Sequence, residues 1–212
     1  AKTLRQLEEI SGSSKIEIAH EMEDLLAGSV ELYEDAARKQ ALLAGYAKKC
    51  EHNISGDTII VRLDQLAANL EGKADWMMKN IRANEWVKDG EDGWFNGYYD
   101  NHGRKVEGVM DESVRMMLTG QVFAIMSGTA TEDQVESICR SADKYLYDQK
   151  AGGYRLNTNF HEEKFDLGRM FGFAYGEKEN GAVFSHMAVM YSNALYQRGF
   201  AKEGNKVLQA LL

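Results

Sequence analysis

Proline is absent from this chain of 212 residues, although average usage would supply about ten prolines. Proline is excluded from helix interiors, but it is common in loops and in the first turn of helices. Its absence therefore favours a helix-rich stretch, or else a sequence that has been edited or designed, and the residues leave both explanations open.

Cysteine is nearly as scarce. Cys50 and Cys139 lie far apart and form no Cys-x-x-Cys pair, whereas a disulfide framework needs denser cysteine. The chain also shows no apolar leader, and none of its apolar runs approaches the ~20 residues that span a bilayer. We therefore expect free thiols, a cytoplasmic location and no membrane contact.

Basic residues are outnumbered. The chain has 25 Lys and Arg against 33 Asp and Glu, a net charge of −8, and no block of basic residues. This balance argues against nucleic acid and anionic membranes as partners, so an anionic substrate would need a local positive site. The 44% apolar and 10% aromatic content is enough for a packed core.

Metal-ligand spacing is also missing. The histidines form no His-Glu-x-x-His pattern, and no nucleophile-elbow motif accompanies them. We therefore predict no metal site. The five histidines are His20, His52, His102, His161 and His186.

What the chain does contain is mainly helical patterning. A capping-box pattern at 14–17 predicts a helix that runs to about Cys50, and apolar spacing from Asp57 predicts another of about seven turns. Thr131 and Gln134 form a second capping box. Further helices are predicted over 114–126, 181–199 and 201–212.

The order of elements is helix, glycine-aromatic connection, helix, repeated loosely. No strand-like runs alternate with the helices, so we predict an all-α fold and exclude a parallel α/β sheet. The expected architecture is a toroid of paired helices with short Gly/aromatic hairpin connections that line a central pocket. Residues 1–87 are expected to form a long helical region and 88–212 the barrel segment, as one structural unit truncated at both ends.

Three stretches combine glycine, aromatic and polar residues. Pyranose rings stack their C–H faces on aromatic rings, and their hydroxyls need polar side chains within hydrogen-bond reach. The pattern is typical of a sugar-binding cleft, with Trp94, Tyr98 and Arg155 as candidates. The stretches are 93–100 (GWFNGYYD), 152–158 (GGYRLNT) and 178–186 (KENGAVFSH).

Each stretch also has an alternative interpretation. Lys178 and the start of a helix favour an anion to which His186 would donate, but a buried histidine behind a solvated charge cluster fits the same spacing. Residues 93–100 would equally form a surface hairpin with aromatic cross-strand pairs. Arg115 and Gln121 either face a cleft or bridge within the fold.

These stretches carry a resemblance to a known family. From about Trp86 to Leu212 the chain resembles the catalytic-domain part of the bacterial inverting glycoside phosphorylases, glycoside hydrolase family 94. That family groups cellobiose, chitobiose and 1,2-β-oligoglucan phosphorylases with cyclic β-1,2-glucan synthases. The matching motifs are 93–100, 118–121 (LTGQ) with 126–128 (MSG), 153–158, and 178–181 with His186.

The resemblance implies an (α/α)6 barrel and reversible phosphorolysis of β-gluco-oligosaccharides that releases α-glucose 1-phosphate. In such chemistry an aspartic acid protonates the glycosidic oxygen and phosphate attacks from the opposite face, whereas an inverting hydrolase needs a second carboxylate to activate water. Phosphate is then a co-substrate, and no cofactor is expected. His186 would bind phosphate beside Lys178, while Glu179, Asn180 and Gln121 would line the sugar side.

The sequence departs from the family at one important point. The family's general acid lies in an Asp-Trp-Asn stretch, but here Asp75 and Trp76 are followed by Met77, so the catalytic acid is unknown. We expect a fragment or one part of a split enzyme, inactive alone, whose partner is the remaining part or a second copy. The alternatives are a non-catalytic helical module that binds glycans or a protein, and a hydrolase whose paired base is not identifiable.

Overall fold

The computed structural model describes residues 1–27, 29–110 and 113–211. Its α-helices are α1 (Lys2–Ser11), α2 (Glu23–Ala27), α3 (Ala36–Cys50), α4 (Leu63–Asn84), α5 (Leu118–Met126), α6 (Glu132–Tyr145), α7 (Ser185–Gln197) and α8 (Ala201–Gln209). Short 3-10 turns occur at His20–Met22, Val30–Tyr33, Phe165–Leu167 and Arg169–Gly172.

Strands are short but numerous. They pair into four separate two-stranded antiparallel sheets within the described residues, β1 with β2, β3 with β4, β5 with β6 and β7 with β8. The strands are β1 (Lys15–Ala19), β2 (Thr58–Arg62), β3 (Trp86–Asp89), β4 (Asp92–Phe95), β5 (Gly108–Val109), β6 (Val114–Arg115), β7 (Tyr147–Asp148) and β8 (Gly153–Tyr154).

The predicted all-α class is wrong. The chain is 53% helical and 16% strand, which makes it a mixed α and β protein rather than a toroid of helices alone. The eight strands of the described residues are each only two to five residues long, and those after β2 sit in segments whose glycines and aromatics give no sustained period-2 pattern.

The chain forms two compact units, Ala1–Lys79 and Asn80–Leu212. In the first unit, the helix predicted from the capping-box pattern at 14–17 is wrong because this segment is strand β1. Its partner is β2, with Lys15 opposite Arg62 and Ala19 opposite Thr58. The alternation Lys-Ile-Glu-Ile in β1 and the β-branched residues of β2 suit a pleated, half-buried pair.

Helix α3 begins at a side-chain cap, and helix α4 begins later than predicted. Asp35 caps α3 because its carboxylate accepts the backbone N–H groups of Ala37 and Arg38. The helix predicted from Asp57 begins instead at Leu63, once β2 has ended, and continues as α4 to Asn84.

The second unit is built around one apolar core. Helices α5, α6 and α7 contribute Ile125, Ile138 and Leu195 to it, each almost completely removed from water. Such burial supplies the main driving force for folding. The predicted capping box is confirmed, because Thr131 and Gln134 exchange side-chain to backbone hydrogen bonds at the start of α6.

No helix in the described part of the chain has both the length and the apolarity to cross a membrane. Cys50 and Cys139 are free thiols. Among the residues that the structure describes, no cluster of His, Cys, Asp and Glu has the geometry of a metal site.

Candidate functional site

The 93–100 stretch is part of a β-hairpin. Trp86 on β3 faces Phe95 on β4, and their rings meet edge to face with centroids 4.8 Å apart. This contact is an aromatic cross-strand pair of the kind that the alternative interpretation of this stretch expected. Trp94 is 0% exposed, and its indole N–H donates to the Arg115 carbonyl at 3.2 Å. A ring without an exposed face cannot stack on a sugar in this arrangement, whereas Tyr98 is exposed.

Gln121 is equally buried. Its amide pairs with the backbone of Phe95 in both directions, accepting the N–H and donating to the C=O, each at 2.8 Å. The same nitrogen donates to the Met117 carbonyl at 3.0 Å. Of the two interpretations of Gln121, a cleft residue or a bridge within the fold, the structure shows the bridge: Gln121 joins α5 to β4.

Glu107 lies beneath these contacts. Its two carboxylate oxygens accept the backbone N–H groups of Gly97 at 2.8 Å and Met117 at 2.7 Å. Burial raises the pKa of the Glu107 carboxyl to about 8, against the opposing effect of the two N–H donors. The sequence signalled this residue poorly, because a lone acid between Val106 and Gly108 belongs to no motif.

The 152–158 stretch lies between two other motif stretches. On one side, Leu118 N donates to the Leu156 carbonyl at 2.8 Å, and on the other, Leu156 N donates to the Ala182 carbonyl at 3.0 Å. Asn157 extends this link, because its Nδ2 donates to Oδ1 of Asn180 at 3.1 Å. Three motifs separated in sequence are thus brought side by side.

Arg155 is held between several groups. Its guanidinium pairs with the Asp148 carboxylate at 2.8 Å, donates to the Gly181 carbonyl at 2.7 Å, and lies 5.4 Å from the Tyr175 ring centroid. Asn180 is buried, and its Nδ2 donates to the Phe173 carbonyl at 2.8 Å. Arg155 and Asn180 therefore fix the shape of the 173–181 loop.

Two charged residues of that loop have different surroundings. Lys178 is exposed, with a left-handed backbone (φ 45°) and its ammonium 4.8 Å from the Phe173 ring centroid. Glu179 pairs with Arg169 at 3.2 Å through one oxygen. Its other oxygen is buried and has no hydrogen-bond partner among the described residues.

His186 lies in the first turn of α7 and is exposed, with its ring 5.4 Å from the Phe184 ring. Within the described residues, no side chain caps this helix start, and its first turn holds no acidic residue. The N–H groups of a first turn lack intrahelical partners and favour an anion. Because the His186 residue is exposed, the structure does not show the buried, satisfied histidine of the alternative interpretation.

The predicted residues thus fall into two groups, apart from Tyr98, which is exposed in the 93–100 stretch. Trp94 and Gln121 are buried in the hairpin and core layer, where they stabilise the fold. Arg155, Lys178, Glu179, Asn180 and His186 lie on the 152–158 and 178–186 stretches. The sequence did not indicate Asn157 or Tyr175 as part of the site. In the structure Asn157 donates a hydrogen bond to Asn180, and the Tyr175 ring packs on the Arg155 guanidinium.

Comparison with known proteins follows the same stretches. The family model described as "Glycosyl hydrolase 94 superfamily, catalytic domain" matches residues 61–210. A solabiose phosphorylase of Paenibacillus borealis is 30% identical over 60% of this chain and 16% of its own length. A cellobionic acid phosphorylase of Neurospora crassa is 31% identical over 73% of this chain and 18% of its own.

An N,N'-diacetylchitobiose phosphorylase of Vibrio proteolyticus is 30% identical over 46% of this chain and 12% of its own length. The chain therefore spans less than a fifth of the length of these curated relatives. The family match includes the 93–100, 152–158 and 178–186 stretches, and it confirms the resemblance found in the sequence. The chain belongs to the Glycosyl hydrolase 94 superfamily and corresponds to part of its catalytic domain.

Proposed function

We propose that this chain forms part of a glycoside phosphorylase that reversibly cleaves β-gluco-oligosaccharides with inorganic phosphate and gives α-glucose 1-phosphate. The family supports this proposal, since the relatives named above are all phosphorylases. The substrates of this chain would be a β-glucan oligosaccharide and phosphate, with no further cofactor. A cytoplasmic location belongs to the same proposal.

One observation carries the phosphate part of the proposal. The exposed His186 stands in an uncapped, acid-free first turn of α7, where free N–H groups and the helix dipole favour an anion. The exposed ammonium of Lys178 lies in the preceding loop. Phosphate is itself a nucleophile, so its site needs hydrogen-bond donors and positive charge rather than a second carboxylate.

The sugar part of the proposal rests on Glu179, which lies in the same 173–181 loop as Lys178. Glu179 has one oxygen buried with no hydrogen-bond partner in the described part of the chain, and a buried acceptor of this kind is costly unless a donor reaches it. A sugar hydroxyl would supply that donor. Arg155 and Asn180 would hold the loop in position, and Tyr98 is the predicted residue with an exposed ring.

The phosphate site is tested by titrating orthophosphate into the ¹⁵N-labelled chain and following the backbone amides. We expect saturable shifts at Ser185, His186 and Met187, which His186→Ala and Lys178→Ala should each weaken by about tenfold, the size of one charge-assisted hydrogen bond. His161→Ala is the matched control, because His161 is also exposed but lies in another loop. Absent shifts, or equal affinity in His186→Ala and the wild type, would refute the phosphate site.

Turnover is tested separately, by assaying glucose 1-phosphate after incubation with phosphate and β-1,2- or β-1,4-linked gluco-oligosaccharides. We expect little or none from the isolated chain, and robust turnover would overturn that expectation while supporting the proposed reaction. Sugar binding at residues 173–186 that phosphate and His186→Ala leave unchanged would instead favour the non-catalytic module.

A further inference from the structure

A groove of about 500 Å³ lies between the last turn of α4 and helix α5, entirely within the second unit. This volume is within the range of about 300–1,000 Å³ usual for small-molecule sites. We name it the α4–α5 groove and define it by Ile81, Glu85, Asn96, Tyr99, Phe123 and Ser127. None of the 152–158 or 178–186 residues lines it.

The polar side of the groove centres on Glu85. Its carboxylate accepts the Tyr99 hydroxyl at 2.7 Å and Nδ2 of Asn96 at 3.0 Å. The ammonium of Lys105 lies 3.8 Å from the same carboxylate, whose side chain is 15% exposed. The negative charge is thus balanced from within the protein, while the carboxylate still reaches solvent.

The opposite side of the groove is apolar. Phe123 on α5 is 49% exposed, and Met126 extends the same surface one turn later. At the end of this wall, the hydroxyls of Ser127 and Thr129 lie 2.9 Å apart and form a polar rim. The groove therefore pairs an exposed aromatic face with the hydroxyls of Tyr99 and Ser127 and the Glu85 carboxylate.

The back of the groove is bare backbone. Gly97 and Gly120 both line it, and a Cβ added at Gly97 would lie 3.4 Å from the Gly120 Cα. The two segments of the chain that carry Gly97 and Gly120 therefore lie in van der Waals contact.

We propose that the α4–α5 groove binds a neutral, hydroxyl-bearing ring, namely a glucopyranose unit, at a site separate from the 178–186 stretch. A cation is disfavoured because Lys105 already balances Glu85, and an anion is disfavoured because the exposed polar group is a carboxylate. A pyranose suits both sides, since its C–H face stacks on Phe123 and its hydroxyls meet Glu85 and the rim. Only the choice of a glucose unit rests on the proposed function.

The test is a cellobiose titration of the ¹⁵N-labelled chain up to about 50 mM, without phosphate, together with the Phe123→Ala variant. We expect saturable shifts at Gly97, Gly120, Phe123 and Ser127, and roughly fivefold weaker binding in Phe123→Ala, the size of one aromatic contact. Val189→Ala is the matched control, because Val189 is also half exposed on a helix, α7, but lies outside the groove.

The outcomes separate this proposal from the phosphate site. His186→Ala should leave cellobiose binding at the groove unchanged, and tetramethylammonium and orthophosphate should not shift the groove amides. Absent shifts, equal loss in Phe123→Ala and Val189→Ala, shifts confined to 173–186, or groove shifts with either ion would each overturn the proposal. The phosphate titration described above stands or falls independently.

Discussion

One carboxylate oxygen of Glu107 accepts the Gly97 backbone N–H at 2.8 Å, ten residues away in the sequence. Its other oxygen accepts the N–H of Met117, so a single buried acid joins the 93–100 stretch to the start of α5. Both contacts end on backbone atoms, which means that Glu107 fixes the path of the chain in both segments.

Glu107 should make the stability of the chain depend on pH. Its pKa is raised from an ordinary 4.5 to about 8 in the folded state, so the folded chain retains a proton that the unfolded chain releases. The resulting stabilisation is complete below the unfolded pKa and is lost as pH rises from about 5 to about 9, on the order of several kcal/mol. Urea unfolding at a series of pH values measures it.

The variant Glu107→Gln carries no titrating proton, so its stability should vary much less between pH 5 and pH 9. Glu163→Gln is the matched control, since Glu163 is exposed, and it should keep the wild-type slope. Parallel pH profiles for the wild type and Glu107→Gln would contradict the role assigned to this burial.

Trp94 provides a test of burial against substrate contact. Trp94→Phe leaves a cavity and removes the hydrogen bond to the Arg115 carbonyl, so we expect about 1–3 kcal/mol loss of stability in urea unfolding. Cellobiose binding to the folded variant should stay at the wild-type level. A stable variant that has lost sugar binding would instead restore Trp94 as a substrate residue.

Local signals and long-range pairing account for what the sequence could predict. The capping box at Thr131 succeeded because its hydrogen bonds are local and the following residues keep a helical apolar stripe. The similar pattern at 14–17 failed because residues 15–19 pair with residues 58–62. The partner lies some forty residues away, and within the local window the short alternation of β1 competes with the capping-box pattern, so tertiary pairing decides and overrides helix propensity.

In the candidate site, too, local features were predictable from the sequence and features that depend on long-range packing were not. The helix start in the 178–186 motif was predictable because its signals are contiguous in the sequence, while the phosphate and sugar roles of the motif stay predictions. The exposure of a side chain is set by what packs on it, so the burial of Trp94 and Gln121 could not be read from their type or spacing. Glu107 was missed for the same reason, since only the fold surrounds it with N–H donors.

Gly181 should resist substitution strongly. Its backbone is left-handed (φ 79°), and an added Cβ would lie 2.3 Å from Cε2 of Tyr175. We expect Gly181→Ala to lose about 2 kcal/mol or more in thermal or urea unfolding. Gly172→Ala is the control, because its backbone is not left-handed and a Cβ there meets nothing within 4 Å. Equal effects of the two substitutions would refute the steric argument.

Arg198 joins the ends of two core helices. Its guanidinium donates to the carbonyls of Ile125 and Ala130, each at 2.9 Å. Arg198→Met leaves both acceptors without their donors, and we expect about 2–3 kcal/mol loss in urea unfolding. Arg140→Met should cost less than about 1 kcal/mol, because Arg140 forms an exposed ion pair with Asp92. A smaller loss in Arg198→Met than in Arg140→Met would contradict this assignment.

Glu21, in the first unit, gives a pH dependence of the opposite sign. One of its oxygens accepts both the hydroxyl and the backbone N–H of Ser55, each at 2.7 Å, and these bonds lower its pKa from 4.5 to about 2. The stabilisation is present above pH 4.5 and disappears as pH falls towards 2. Hydrogen exchange of the Ser55 amide reports directly on this stabilisation.

Glu21→Gln should lower the protection of the Ser55 amide at pH 6, and the difference between this variant and the wild type should shrink as the pH approaches 2. The exposed Glu17→Gln should behave like the wild type throughout. If Ser55 protection in the wild type were the same at pH 6 and pH 2, the Glu21 carboxylate would not be what holds this loop.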